Sequence, residues 1–154
     1  AQGVVNEKST PTPEGISGQQ LLDAEKSIKN AANPATIVRL GGLVGGDRHP
    51  AKQLAGKINI PAPQAPTNLV HRKDVVRFLM AIIEEGHWGK TLHCVSPNHQ
   101  SRIDFYTEAS KRLNLPLPSF AKTATKRNKK VMDSRSAALF DFSYWLADCG
   151  VEGS

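Results

Sequence analysis

The sequence has 154 residues, of which 39% are hydrophobic and 22% charged, and its formal net charge is +6. These values are typical of one globular domain with a hydrophobic core. No apolar run approaches the roughly 20 residues that a membrane-spanning helix needs, which excludes a membrane partner, and the polar N-terminal stretch lacks a signal-peptide core. Two cysteines do not make a disulfide framework, so we expect a reducing, cytoplasmic location.

The first predicted elements are a loop, a helix and a strand. Residues 1–15 are polar with two prolines and predict a loop, after which Ser17 can cap a helix over Gly18–Ala32. Apolar residues in that helix recur near a period of 3.6: Leu21, Leu22, Ala24, Ile28 and Ala31. The β-branched run Ala35–Leu40 (ATIVRL) is typical of a buried strand.

Glycines follow this strand at once, at positions 41, 42, 45 and 46. A strand that runs into glycines is how an open α/β sheet forms a ligand crevice at its carboxyl edge. The alternative for Gly41 and Gly42 is a tight turn that requires positive φ.

The later elements alternate between helices and short strands. Short helical turns are expected near residues 50–55 and short extended pieces near 58–60 and 68–71. A strong helix opens at Asp74 and runs to residue 85, with a predicted buried stripe of Val75, Val76, Leu79, Ile82 and Ile83. Gly86 fits its C-terminal cap. Thr91–Val95 is a second core strand, residues 103–113 are an amphipathic helix, and residues 140–144 (FDFSY) alternate like a strand.

The order strand, helix, strand predicts a parallel sheet with crossover helices. Two strong strands are too few for a complete doubly wound domain, because an edge would lie open. The chain is therefore expected to be incomplete, or to complete its sheet with a partner.

Several blocks of the sequence resemble one family. Residues 35–46 (ATIVRLGGLVGG) are similar to a strand that ends in Arg and enters a glycine loop, and residues 68–76 (NLVHRKDVV) to the segment before a long helix. Residues 13–28 resemble the preceding region, whose helix carries an Ala-Glu pair, here Ala24 and Glu25, and residues 91–96 match the last sheet strand. In this order the blocks resemble the NAD(P)-dependent epimerase/dehydratase family, the extended short-chain dehydrogenases.

The resemblance implies an α/β fold, namely the C-terminal portion of a Rossmann-like doubly wound parallel sheet plus a small α+β substrate lobe. Residues 1–96 would belong to the NAD(P)-binding domain, with a substrate-lobe insertion at about 47–71, and residues 97–154 would form the remainder of the lobe. The family's glycine-rich phosphate turn is absent. The implied partner is thus the chain's own missing N-terminal half, and a homodimer is left open.

The implied ligands are NAD or NADP and a nucleotide-sugar-like small molecule. The residues that would line the cofactor are Arg39, Leu40, Gly41, Gly42 and Leu43. Those that would face the substrate are Asn68, His71 and Arg72. Arg39 has the alternative of pairing with a structural acid, and His71 that of a structural histidine.

The family's catalytic Tyr and Lys have no counterparts here. Counting back from Glu25, Ser17 and Leu21 occupy their places, so the catalytic residues are unknown and this chain alone is predicted inactive and without cofactor. An enzyme of epimerase, dehydratase or reductase type remains one hypothesis. A non-catalytic dinucleotide sensor or assembly protein of the same fold is the other. No metal site is expected, since the histidines have no completing carboxylate or thiol set.

A basic cluster raises a weaker alternative, a nucleic-acid-binding module. Its members lie close together in sequence: Lys122, Lys126, Arg127, Lys129 and Lys130. Such a cluster can hold phosphates, but no aromatic stacking residues lie among the lysines. A solvated loop is the favoured interpretation.

Overall fold

The computed structural model describes residues 3–31, 34–46, 49–122, 128–139 and 142–144. The helices in these ranges are α1 (Gly15–Ala31), α2 (Pro50–Leu54), α3 (Arg72–Glu84), α4 (Arg102–Arg112) and α5 (Ser134–Leu139). The strands are β1 (Val4–Val5), β2 (Ile37–Leu40), β3 (Gly42–Val44), β4 (Leu69–His71), β5 (Thr91–Cys94) and β6 (Lys130–Val131). None of the helices described is long and apolar enough to cross a membrane.

The two β-branched segments are neighbours in one parallel sheet. Strand β2 pairs with β5, and Val38 lies opposite Leu92. Strand β3 pairs with β4 and β1 with β6, both also parallel. Parallel neighbours need crossover connections, and α3 lies between β4 and β5. The predicted α/β fold with a parallel sheet is confirmed.

The main hydrophobic core lies between these strands and α3. Its buried members are Val70, Phe78, Ile82, Leu92, Cys94 and Tyr144. Phe142 packs edge-on against Phe78, with ring centroids 5.5 Å apart. Burial raises the pKa of the Cys94 thiol to about 12, so this cysteine is an unreactive core residue.

Helix α3 begins two residues earlier than predicted and presents a different face to the core. The N-cap is His71, whose side chain accepts from the Lys73 backbone N–H at 3.2 Å. Asp74 and Phe78 are fully buried, whereas Val76 is 61% exposed. Leu79 and Ile83 of the predicted stripe are also exposed. The line 74, 78, 82 therefore faces the sheet, and the sequence pattern alone could not distinguish it from the adjacent apolar line.

Several other predicted elements differ from the observed ones in their bounds or type. Helix α1 begins at Gly15, so Ser17 lies in its first turn and is not its cap. Near residues 58–60 only an isolated bridge from Ile60 to Phe120 forms, because Pro61 and Pro63 cannot donate ladder hydrogen bonds. Residues 142–144 are not a strand, and their aromatic rings pack into the core; residues 140 and 141 lie outside the described ranges. Strands β1, β3 and β6 and helix α5 were not predicted, since they are too short to show a period.

Candidate functional site

The carboxyl ends of β2 and β5 meet the start of β4 through short backbone hydrogen bonds. Gly41, directly after β2, donates to the Cys94 carbonyl at 2.9 Å. Gly42 donates to the Asn68 carbonyl at 2.7 Å, and Ser96 donates to the Leu69 carbonyl at 2.8 Å. Strands β2 and β5 are parallel and both end here, and open α/β sheets bind ligands at such an edge. The segment 41–46, whose residues 42–44 form β3, is hereafter called the glycine loop.

The first two glycines of the loop are closely packed against the neighbouring segments. A Cβ at Gly41 would lie 3.0 Å from the Asn68 carbonyl oxygen and 3.1 Å from Val95 Cγ2. A Cβ at Gly42 would lie 2.9 Å from Leu69 Cδ2. Neither residue has positive φ, so the tight-turn alternative is wrong at these positions. The backbone itself therefore forms the surface of the edge here.

The last two glycines of the loop combine positive φ with contact to the start of α3. Gly45 and Gly46 have φ values of 118° and 61°. A Cβ at Gly45 would lie 2.5 Å from His71 Nε2, and one at Gly46 would lie 2.7 Å from Arg72 Nη1. His71 and Arg72 therefore hold the far end of the glycine loop, as Asn68 and Val95 hold its near end.

Two leucines on either side of Gly41 and Gly42 are open to solvent. Leu40 is 46% exposed and Leu43 is 38% exposed, and Gly42 between them is exposed as well. Each leucine offers an apolar side chain to the solvent. Of the predicted cofactor residues, Leu40, Gly42 and Leu43 are therefore exposed.

Arg39 faces away from this surface, toward α1. Its Nε and Nη2 donate to the two carboxylate oxygens of Glu25 at 2.8 and 2.7 Å. The hydrogen bond from Arg39 holds the pKa of Glu25 below its usual range and raises that of Arg39. The guanidinium thus pairs with a structural acid, the alternative that the sequence left open, and ties α1 to β2.

The three predicted substrate residues all meet the glycine loop, but in different ways. Asn68 uses its side-chain amide on the backbone of β6, donating to the Lys129 carbonyl at 2.9 Å and accepting from Val131 N–H at 2.8 Å. His71 is buried, and burial lowers the pKa of its imidazole. Arg72 is exposed.

The positions expected for the catalytic pair lie on the outer side of α1. Ser17 is exposed and Leu21 is 67% exposed. Tyr106 is on α4, and Tyr144 lies in the core with its hydroxyl donating to Asp133 Oδ2 at 2.8 Å. Burial raises the pKa of both tyrosines. Neither tyrosine replaces the missing acid of the pair, because neither lies on α1.

Glu7 is a buried carboxylate that sequence reasoning missed. It accepts from the backbone N–H groups of Arg135 at 3.1 Å and of His93 at 3.4 Å. These bonds join the N-terminal segment to β5 and to the start of α5. An isolated Glu in a polar stretch carries no local signal of burial, and its partners lie 86 to 129 residues away.

A pocket of about 250 Å³ lies beneath α1, between Glu7, Glu25, Lys29 and Thr91. Thr91 is the first residue of β5, so the pocket lies away from the carboxyl edge. Among the residues that the structure describes, no group of three or more His, Cys, Asp or Glu could hold a metal ion. The glycine loop is therefore the best candidate for a functional site.

Known proteins are similar to this chain over about half of their own length. No protein-family model matches the sequence. The chain is 32% identical over 150 residues to protein YeeZ of Escherichia coli, covering 96% of this chain and 54% of YeeZ. It thus spans about half the length of this curated relative.

Solved structures match over a similar share of their length. A proposed NAD-dependent epimerase/dehydratase from Methylobacillus flagellatus aligns with a TM-score of 0.77 and 24% identity, over 96% of this chain and 55% of that one. MoeE5, solved with UDP-glucuronic acid and NAD, aligns with a TM-score of 0.72 and 17% identity, over 94% and 55%. The sequence resemblance is therefore confirmed at the level of the fold: the chain has the Rossmann-like α/β fold of these structures and spans about half of their length.

Proposed function

We propose that this chain is the C-terminal part of an NAD(P)-dependent epimerase/dehydratase-like protein that acts on a nucleotide-sugar-like substrate. In this proposal residues 1–96 complete the cofactor domain, with a substrate-lobe insertion at about 47–71, and residues 97–154 complete the substrate lobe. The observation that carries the proposal is the glycine loop at the carboxyl ends of adjacent parallel strands, flanked by exposed Leu40 and Leu43.

The residues at this edge suit the nicotinamide side of a dinucleotide. Gly42 is exposed and carries no side chain, so a ligand at this edge could approach its backbone. Leu40 and Leu43 supply apolar contacts, and Arg39 supports the strand through Glu25. NAD or NADP would supply hydride transfer when bound, and the chain would position it and exclude water.

His71 and Arg72 are the proposed substrate-side residues. Both contact the far end of the glycine loop, next to the insertion at about 47–71. The exposed guanidinium of Arg72 can meet an anionic group such as a diphosphate. His71 would act from beneath the loop, since its imidazole is buried.

A non-catalytic protein of the same fold, a dinucleotide sensor or assembly factor, is the second candidate. It is favoured by Ser17 and Leu21, which stand in the places of the acid/base Tyr and its Lys. Leucine carries no charge, so it cannot lower the pKa of a neighbouring acid as a lysine would. Turnover of a panel of UDP- and dTDP-sugars by the full-length protein would exclude this second candidate.

The cofactor proposal is tested by titrating the full-length protein with NADH and NADPH and following ligand fluorescence. Leu43→Glu should weaken the affinity at least about tenfold, because a carboxylate would face the apolar ring and the cofactor phosphates. Leu79→Glu is the matched control, since Leu79 has a similar exposure of 43% but lies on α3. Equal affinities of the parent and the Leu43 variant would contradict the proposed surface.

A further inference from the structure

Asn68 lies directly before β4, at a point where three segments of the chain meet. Its backbone carbonyl accepts from Gly42 at 2.7 Å. Its side chain donates to the Lys129 carbonyl at 2.9 Å and accepts from the Val131 N–H at 2.8 Å. One residue therefore connects the glycine loop with β6.

The side-chain amide of Asn68 makes one donor and one acceptor hydrogen bond to the β6 backbone, as the peptide groups of a neighbouring strand would. A carboxamide offers one carbonyl acceptor and an NH₂ donor, and Asn68 uses one of each on the two residues that flank Lys130. The two bonds therefore hold the backbone of Lys130 from both sides.

The described residues give β6 few other supports, one of which is the Gly3 backbone N–H donating to Asn128 Oδ1 at 3.0 Å beside the strand. The strand comprises only two residues and pairs with the equally short β1, through Lys130 to Gly3 at 2.9 Å and Met132 to Val5 at 2.8 Å. The Met132 carbonyl also bonds the His93 imidazole at 2.9 Å. A two-stranded pair of this size is marginal in water, so the bonds from Asn68 should contribute strongly to its order.

We infer that Asn68 is a positioning residue, which joins the glycine loop to the basic segment 128–131 and keeps the two in a fixed relation at the carboxyl edge. Asn68 therefore acts through its neighbours, because both polar groups of its amide are engaged within the chain. Where the inference concerns cofactor binding it rests on the proposed function. The link between the loop and β6 does not depend on that function.

Hydrogen exchange measured by mass spectrometry on the full-length protein tests the link. Asn68→Ala removes both side-chain bonds, and the peptide that covers residues 128–133 should exchange at least about tenfold faster. Asn68→Asp keeps the size and the acceptor for Val131 but loses the donor to Lys129, so it should show a smaller increase. If the alanine variant fails to fold, the exchange rate of the Asn68→Asp variant still tests whether Asn68 holds β6.

Thr67→Val is the matched control. It removes one neighbouring hydrogen bond, from Thr67 Oγ1 to the Gln100 carbonyl at 3.0 Å, and leaves β6 untouched. Exchange of residues 128–133 should remain at the parent rate in this variant. Unchanged exchange in both Asn68 variants, or an equal rise in the Thr67 variant, would overturn the inference.

An NADH titration of the same proteins separates the inference from the proposed function. The Asn68 variants should bind NADH at least about fivefold more weakly than the parent, and the Thr67 variant equally well. Faster exchange with unchanged NADH affinity would overturn the role of Asn68 in the cofactor site. A parent protein that binds neither NADH nor NADPH would refute the proposed function, while the exchange result would still decide the link between the loop and β6.

Discussion

Helices α1 and α3 contact the same strand pair from opposite faces but differ in how much they bury. Val38 packs toward α3, whereas the next residue, Arg39, pairs with Glu25 on α1. Such alternation is the normal period of a strand. On α3, Phe78 is fully buried, but none of the 17 residues of α1 is buried.

The difference shows what holds each helix. Helix α3 is held by the core, whereas α1 is held by polar contacts such as the Arg39–Glu25 pair and Lys29 Nζ donating to Thr91 Oγ1 at 2.8 Å. Its apolar residues Leu21 and Ile28 are 67% and 51% exposed, so the described part of the chain does not cover them.

The largest effect is expected from Phe78→Ala, which should reduce the free energy of unfolding by about 3–5 kcal/mol because it leaves a cavity in the core. Leu21→Ala on α1 should change it by less than about 0.5 kcal/mol, since Leu21 is exposed. Urea denaturation measures both values. Similar losses in the two variants would mean that α1 is packed as α3 is.

A smaller loss is expected from breaking the contact that holds α1. Arg39→Met and Glu25→Gln should each cost about 2 kcal/mol, and the double variant less than their sum, because the two residues share the same charged hydrogen bonds. Lys26→Met is the control, since its bridge to Asp23 at 3.5 Å is exposed and should contribute little. A strictly additive double variant would exclude a coupled pair.

The stabilisation that the Arg39–Glu25 pair provides should also depend on pH. Its contact to Arg39 lowers the pKa of Glu25 in the folded chain, so the stabilisation is complete above the ordinary glutamate value of 4.5. It is then lost as the pH falls through the lower folded-state pKa. Unfolding measured against pH should show this loss in the parent and not in the Glu25→Gln variant.

Helix α4 adds to the comparison of α1 and α3 a helix whose N-cap is a serine. Ser101 accepts from the Asp104 N–H at 3.2 Å, and Ser101→Ala should cost about 1 kcal/mol by removing this N-cap. Ser119→Ala is the control, because Ser119 is exposed and lies outside the helices. Thermal unfolding of both variants measures the difference, and equal midpoints would show that the cap contributes nothing.

The smallest effect near neutral pH is expected from His71, the N-cap of α3. Burial lowers the pKa of His71, and of His49 and His99, below the ordinary value of 6.5. The folded chain therefore favours the neutral rings, and this stabilisation is complete above pH 6.5 and is lost as the pH falls through the folded-state values. His71→Gln should flatten the dependence of unfolding on pH between 7 and 5; an unaltered slope would contradict it.

Much of the fold could be predicted because the signals are local. The β-branched runs identified β2 and β5, and the order of elements predicted their parallel pairing. The glycines after β2 predicted a candidate site at the carboxyl edge, which stays a prediction. The buried line of α3 could not be predicted, because two adjacent apolar lines run along that helix and only contact with the sheet distinguishes them.

The partners of the polar site residues could not be predicted either. Asn68 and the β6 backbone are more than 60 residues apart in sequence, and Glu7 and His93 are 86 apart. No local pattern signals such a pairing. Asn68 and Arg39 are candidates for ligand contact when only their chemistry is considered, yet in the structure both bond within the chain.

The amino-acid order by itself determined the α/β class, the two central strands, the glycines after β2 and the presence of Ser17 and Leu21 where the family has its Tyr and Lys. These depend on periodicity, backbone preference and residue identity, which act over a few neighbours. Only the tertiary structure decided which apolar face is buried and which polar groups bond one another. Those outcomes depend on contacts between segments that are distant in the chain, where burial and hydrogen-bond geometry are set by the whole packing arrangement.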